Sequence, residues 1–365
     1  MRGERRKFGT SGFTLTPHPS PLTPILLFFL LATSLAGCGK EPLYQQESYV
    51  FGTRVEVTIY GEKDDRARQL SGQVLADFDR LHAELHAWKP STLSRMNETF
   101  AQAPARAALP AGIMPILQDA TKLSGQSGGL FNPAIGNLIR LWGFQNDEFK
   151  PLQPDPAAIA KLVRADPKMS DIVVEGGDFY SKNPAVRVDL GGYAKGYALD
   201  VAADYLRAQG VKNALINIGG NIIALGKHGD RPWQVGIRHP RKSGAIATLE
   251  LNDGEAVGTS GDYQRYFDLG GKRYCHIIDP RTGYPAQGVQ AATVLIPRGR
   301  NAGVLSDVAS KPPFIAGKNG WRDAARKMGV ETAMLIDDQG EVYLTAAMKK
   351  RITFLEAGLK LHESL

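Results

Sequence analysis

Cysteine is nearly absent: the 365 residues contain two, Cys38 and Cys275. One disulfide is the most they could form, so a cross-linked scaffold is excluded as the source of stability. A strong excess of one charge is missing as well. Lys and Arg total 44 against 37 Asp and Glu, a formal +7. Part of that excess sits in "MRGERRK" at 1–7; without it the chain carries about +4, too mild to argue for nucleic acid. No apolar run reaches the roughly eighteen residues of a comfortable membrane span. No repeat of roughly 20–50 residues is visible either, which excludes solenoids and propellers. What is there is globular: 43% hydrophobic and 22% charged residues, enough chain for one large domain or two ordinary ones.

The N-terminus departs from that composition. A basic start, a Pro/Ser-rich spacer and "ILLFFLLATSLAGCGK" fit a secretory signal, whose apolar part is shorter than a span. "LAGC" at 35–38 resembles the bacterial lipobox, in which the cysteine is lipidated and becomes the mature N-terminus. Residues 1–37 are therefore expected to be removed, Cys38 to carry lipid, and 38–45 to serve as a polar tether. That places a membrane lipoprotein facing the periplasm; the alternative is a short anchor with an incidental cysteine. Gly39 gives no aspartate-type inner-membrane retention signal. With Cys38 so used, Cys275 has no disulfide partner.

Beyond residue 46 the periodicities alternate. "SYVFGTRVEVTIYG" (48–61) predicts a strand, and Leu70, Val74, Phe78, Leu81 and Leu85 predict an amphipathic helix from Asp64 to Trp88. Further helices are expected from Ile113 to Leu123, from the "VDLGG" loop at 188–192 to Gln209, and over 301–329. Strands dominate from Ala214 onward, with a last pair near 331–345, and 356–365 reads as a tail. Strands without regular helical crossovers predict an α+β fold with mixed sheets and packed helices, one large domain over 46–355. "HAELH" places His82 and His86 one turn apart, but the order is not HExxH and no third ligand is near, so a solvated helix edge is expected.

Several loops could hold an anion. "DLGGYAKG" puts Gly191, Gly192 and Lys195 at a helix start, where free N–H groups favour negative charge. "NIGGNI" (217–222) breaks a strand with a glycine pair that permits close backbone approach. Neither is a P-loop or a dinucleotide fingerprint, and alone each is as well read as a tight turn. "GTSGDYQRYF" (258–267) mixes hydroxyls with aromatics, suited to a planar ring. His276 in "CHIIDPRTGYP" is the best general-base candidate by its ordinary pKa, although a histidine beside a rigid turn is often structural. In "SDVASKPPF", Asp307 stands among small apolar residues and needs a counter-charge.

In order, "FGTRVEVTIYG", "FNPAIGNLIRLWGF", "VDLGGYAKGYALD", "ALINIGGNIIALG", "WQVGIRHP", "GTSGDYQRYF" and "HIIDPRTGYP" resemble the ApbE family of FAD:protein FMN transferases across roughly 46–350. The resemblance implies a T-fold-related α+β domain. It further implies that FAD is cleaved at its pyrophosphate with Mg²⁺, FMN joining a Thr or Ser hydroxyl of a redox partner as AMP leaves. His276 matches the histidine that assists deprotonation; Asp307 and the Ala194 carbonyl match metal-binding positions. Gly52, Thr53, Asn132, Lys195, Asn217, Gly219, Gly220, Thr259, Ser260 and Gly261 fall in segments that line the FAD site. Arg281 and Thr282 follow the histidine without an assigned role. The family's target motif, D-x-x-[ST]-G-A-[ST], does not occur here, so modification would act on another protein.

Two positions depart from the pattern. The family's "ADALATA" reads "SDVASKP", which puts Lys311 at a metal-ligating threonine position, and "FDP" reads Phe131-Asn132-Pro133. Lys311 could point away from a weakened metal site, replace the ion, or mark a chain that binds FAD without efficient transfer. A flavin-storage protein and an FAD pyrophosphatase releasing FMN and AMP are the corresponding alternatives.

Overall fold

A computed structural model describes residues 42–364 with the exception of Asp147. The expected signal segment and Cys38 lie outside the described residues. Nine strands form a sheet whose spatial order follows the chain. They are β1 Leu43–Val50, β2 Thr53–Tyr60, β3 Asn213–Ile218, β4 Asn221–Leu225, β5 Ala256–Gly261, β6 Val289–Ile296, β7 Thr332–Asp337, β8 Val342–Thr345 and β9 Leu361–Ser364. Neighbours are antiparallel except β8 and β9, which run parallel. The helices are α1 Asp64–Leu85, α2 Thr92–Ala101, α3 Met114–Gln126, α4 Gly136–Leu141, α5 Pro156–Ala165, α6 Ala194–Ala208, α7 Ala302–Ala309, α8 Lys311–Lys327 and α9 Ala346–Lys349.

Strand alternation divides the sheet between two cores. Ile223, Ala256, Val294 and Leu335 pack with Val74 and Phe78 of α1, Leu199 of α6 and Val308 of α7. Their neighbours Ile222, Val257, Leu295 and Met334 turn the other way, onto Trp233, Val235, Leu249 and Leu251 of a smaller sheet. That sheet comprises Trp233–Arg238, Ala245–Leu251 and Ile352–Phe354. Covered on both faces, β6 is buried at all eight positions, which is why "VQAATVLI" reads as a continuous run rather than an alternation. The expected single α+β domain is the observed one.

Four expectations need correction. The tether does not extend to 45, because Leu43–Val50 is already a strand paired along its length with β2. As a sheet edge it needs only one neighbour, so its outward positions can be polar and no apolar alternation announced it. Phe51 and Gly52, with φ of 56° and 70°, turn the predicted single strand into a hairpin. The C-terminal tail is not loose either, since Val342 pairs with Leu361 in β9. His82 and His86 are half-buried rather than a solvated edge: their rings pack together and His82 meets Phe51.

Antiparallel pairing gathers the starts of β2, β4 and β6 with the ends of β3 and β5. Val55 faces Ile218, Ile218 faces Asn221, and Gly261 faces Ala291. Sequence segments more than two hundred residues apart thus meet at one end of the sheet.

Candidate active site

The helix after "VDLGG" begins at Ala194, where the Leu190 carbonyl accepts from the Tyr193 and Ala194 N–H groups at 2.9 and 2.8 Å. Asp189 stiffens the approach by accepting from Gly191 N–H at 2.7 Å and from the Trp88 indole at 2.9 Å. From within α6, Asp200 caps the start of the facing helix α7: its two oxygens accept from Gly303 and Val304 N–H at 2.7 and 2.8 Å. Helices α6 and α7 then touch through glycine. A Cβ on Gly196 would lie 2.4 Å from the Gly303 carbonyl, and one on Gly258 of β5 only 2.1 Å from the Ser306 carbonyl. Small residues therefore let α7 settle between α6 and the sheet, which carries Asp307 onto the first turn of α6. Gly196→Ala is expected to cost about 1–3 kcal/mol by overpacking and to lower the melting temperature by several degrees. An unchanged thermal unfolding curve would show that α7 relaxes freely.

Asp307 is 2% exposed and meets three donors. Its Oδ1 stands 2.7 Å from Lys311 Nζ; Oδ2 accepts from Gly196 N–H at 3.1 Å and lies 3.5 Å from Lys195 Nζ. Burial alone would raise this carboxyl, but the two lysines and the hydrogen bonds from Lys311 and Gly196 hold it well below the usual range. Lys311 Nζ also donates to the Asp307 carbonyl at 2.7 Å, a cation placed on the last turn of a helix. Burial lowers its own pKa, more than Asp307 restores it. Lys195 Nζ reaches the Gly191 carbonyl at 3.0 Å as well.

The prolines after Lys311 do not displace these groups. Ser310 remains in the right-handed helical region, and Pro312 and Pro313 fall in the first turn of α8, where N–H groups have no intrahelical partner to lose. The distortion comes later, at Gly317, whose φ of 70° and ψ of −178° break α8.

His276 supplies the second chemical group. Its Nδ1 lies 3.2 Å from the Arg265 carbonyl, which can only accept, so the neutral ring carries its proton on Nδ1 and keeps a lone pair on Nε2. Burial first, then the charges of Arg265, Lys195 and Lys311, push its pKa down to about 3. The ring is thus neutral at ordinary pH, oriented, and close enough to both lysines to feel them. Arg281 and Thr282 brace the turn that follows: Arg281 pairs with Asp279 at 2.8 Å, and Thr282 Oγ1 accepts from Tyr284 N–H at 3.2 Å.

The other expected residues divide. Thr53 touches Gly219, where a Cβ would lie 2.7 Å from its hydroxyl, and Asn217 accepts from Gly220 N–H at 2.9 Å. The Gly52–Thr53 and Asn217–Gly220 turns therefore stand side by side. Ser260 reaches Ser310 Oγ at 2.8 Å, and Ser310 in turn donates to the Asp307 carbonyl at 2.9 Å. Thr259 instead pairs with Thr293 at 2.9 Å on the opposite face, and Gly261 abuts Tyr263. Asn132 spends its amide on the backbone, donating to the Pro167 carbonyl at 2.9 Å and accepting from Ala134 N–H at 3.0 Å. A carboxylate there could not make the first bond, which accounts for asparagine. Sequence reasoning missed Asp200, Gly303 and Ser310. Asp200 ends the "VDLGGYAKGYALD" motif, a spacing of four from Gly196 that was the available signal.

A cavity of about 520 Å³ lined by Arg207, Lys212, Lys227 and Arg298 among others shares no residue with this cluster. Mg²⁺ does not fit the cluster. Of the expected ligands Ala194, Asp307 and position 311, the last is an ammonium that ion-pairs with the second and repels a cation. Among the described residues no three His, Cys, Asp or Glu side chains come together at one place.

Two ammonium groups flank one buried carboxylate, and their charge is felt by a neutral, oriented imidazole. The chain belongs to the ApbE family, whose model matches residues 51–335. An FAD:protein FMN transferase of Rhodobacter capsulatus is 40% identical over 317 residues, covering 87% of this chain and 60% of that protein's length. Another, from Haemophilus influenzae, is 31% identical over 345 residues, covering 88% and 95%. The crystal structure of the ApbE protein of Thermotoga maritima superposes with a TM-score of 0.76 at 28% identity, over 85% of this chain and 99% of that one.

Proposed function

We propose that this chain transfers FMN from FAD to a Thr or Ser hydroxyl of another protein. The observation that carries the reading is His276: neutral, fixed through Nδ1, and exposed to the charge of Lys195 and Lys311 in a chain similar to named FMN transferases. The acceptor hydroxyl gives its proton to His276 Nε2 as its oxygen bonds to the FMN phosphorus. The phosphoanhydride bond to the AMP half breaks, and AMP leaves with the electron pair. Ammonium groups at the site offset the charge on the pyrophosphate oxygens. The glycine turns at 52 and 219–220 let backbone approach the ligand closely. An acceptor with a D-x-x-[ST]-G-A-[ST]-like motif suits this chemistry. With Cys38 lipidated, the domain would work on the periplasmic side of a bacterial membrane, on redox partners held there.

Incubating the protein with FAD and a motif-bearing acceptor should raise the acceptor mass by one FMN residue and release equimolar AMP. AMP without an adduct would instead establish FAD hydrolysis. Bound flavin with neither product would establish storage.

A further inference from the structure

Both oxygens of Asp307 are engaged, and by charges of the same sign. Lys311 Nζ holds Oδ1 at 2.7 Å, while Lys195 Nζ stands 3.5 Å from Oδ2. Lys311 is not a loose surface lysine. Its side chain is 16% exposed, and its Cε is packed so closely against Gly192 that a Cβ there would lie 2.6 Å away. The same ammonium is tied to the Asp307 carbonyl, so two bonds and a steric wall locate it. Two lysines against one carboxylate leave one positive charge in excess, half-enclosed and near enough to His276 to lower its pKa. A divalent ion bound to Asp307 would have to evict one ammonium and then face both.

Resting on the transferase reading above, we propose that Lys311 is a built-in cation. Lys195 and Lys311 together hold the pyrophosphate of FAD without a divalent metal, and Asp307 positions the two ammonium groups rather than a metal ion. In the transfer step these lysines meet the charge on the departing AMP phosphate, while the acceptor proton still passes to His276. Such a site differs from a metal centre in one measurable respect: its affinity for FAD is indifferent to chelators.

The test is FAD affinity by quenching of flavin fluorescence, in EDTA and in Mg²⁺, for the full chain and for Lys311→Thr and Lys311→Met. The unaltered protein is expected to change less than about twofold between the two buffers. Lys311→Thr should bind FAD about tenfold or more weakly in EDTA, the order of one charge-assisted hydrogen bond, and regain affinity with Mg²⁺. Lys311→Met, which keeps the bulk, should stay weak in both. Melting temperatures give an independent reading: Mg²⁺ should raise that of Lys311→Thr and leave the unaltered protein unmoved. Loss of FAD from the unaltered protein in EDTA overturns the proposal, as does undiminished binding by folded Lys311→Thr in EDTA. Chelator-indifferent FAD binding with no adduct on any acceptor would leave the clamp standing and overturn the transferase reading. Absence of FAD binding in both buffers overturns both.

Discussion

His276→Ala is expected to slow FMN transfer by about 10²–10⁴-fold, the usual contribution of a positioned general base, while FAD remains bound. His276→Asn refines the measurement, since its amide can still donate to the Arg265 carbonyl but has no basic nitrogen. If the asparagine variant is as slow as alanine, proton transfer and not orientation is what was lost. If either variant transfers FMN at the unaltered rate, the base lies elsewhere. The pH profile is a second reading. An ordinary histidine would give an acid limb near pH 6.5. Burial and neighbouring positive charge depress His276 to about 3, so transfer should stay level as pH falls from 7 to 5. The same shift bears on stability. The folded state takes up this proton less readily than the unfolded chain, so the contribution is intact above the unfolded pKa and declines as pH falls from about 6.5 toward 3.

Asp307→Ala should be the most damaging substitution for the fold of the site. The carboxylate is buried, and removing it leaves the Lys311 and Lys195 ammonium groups facing each other without a counter-charge. Breaking a buried pair in this way costs about 3–5 kcal/mol. A large fall in melting temperature and loss of FAD binding are expected together. The double substitution Asp307→Ala with Lys311→Met should recover part of the stability without recovering FAD affinity, because the stranded charge is gone along with the clamp. A double variant no more stable than Asp307→Ala would contradict that account. Because the carboxyl is depressed in the folded state, its stabilisation is present above the unfolded pKa of about 4 and lost as pH falls below it. His276 and Asp307 thus both make acid destabilising, in adjoining pH ranges.

The residues at the site were legible in unequal measure. Glycine pairs at 191–192 and 219–220 were visible as interruptions in otherwise regular patterns, because backbone that must turn sharply or approach another group closely leaves no room for a side chain. Helix α2 went unpredicted although Ser91 and Ser94 form a capping box at its start. Helix α5 went unpredicted despite Asp155 and Pro156 at its N-terminus. Both are ten residues long, too short for periodicity to stand out. The first part of β1 and all of β9 were missed for a different reason: a sheet edge is held by backbone hydrogen bonds to one neighbour, which impose little on side-chain polarity.

Local spacing by itself determined that Asp307 and Lys311 lie one turn apart and that the carboxylate needs a positive partner, because both follow from helical geometry and the cost of burying charge. The residue type at 311, an ammonium with no lone pair, made it unable to ligate a cation. Only the tertiary structure decided that the lysine turns back onto Asp307, that Lys195 and the Gly196 N–H arrive from another helix, and that His276 feels the charge of both ammonium groups. Those meetings depend on α6 and α7 closing to glycine-on-glycine distance and on antiparallel strands bringing residues 53, 219 and 260 to one end of a sheet. Contacts between segments so far apart in the chain are set by packing, which no local pattern encodes.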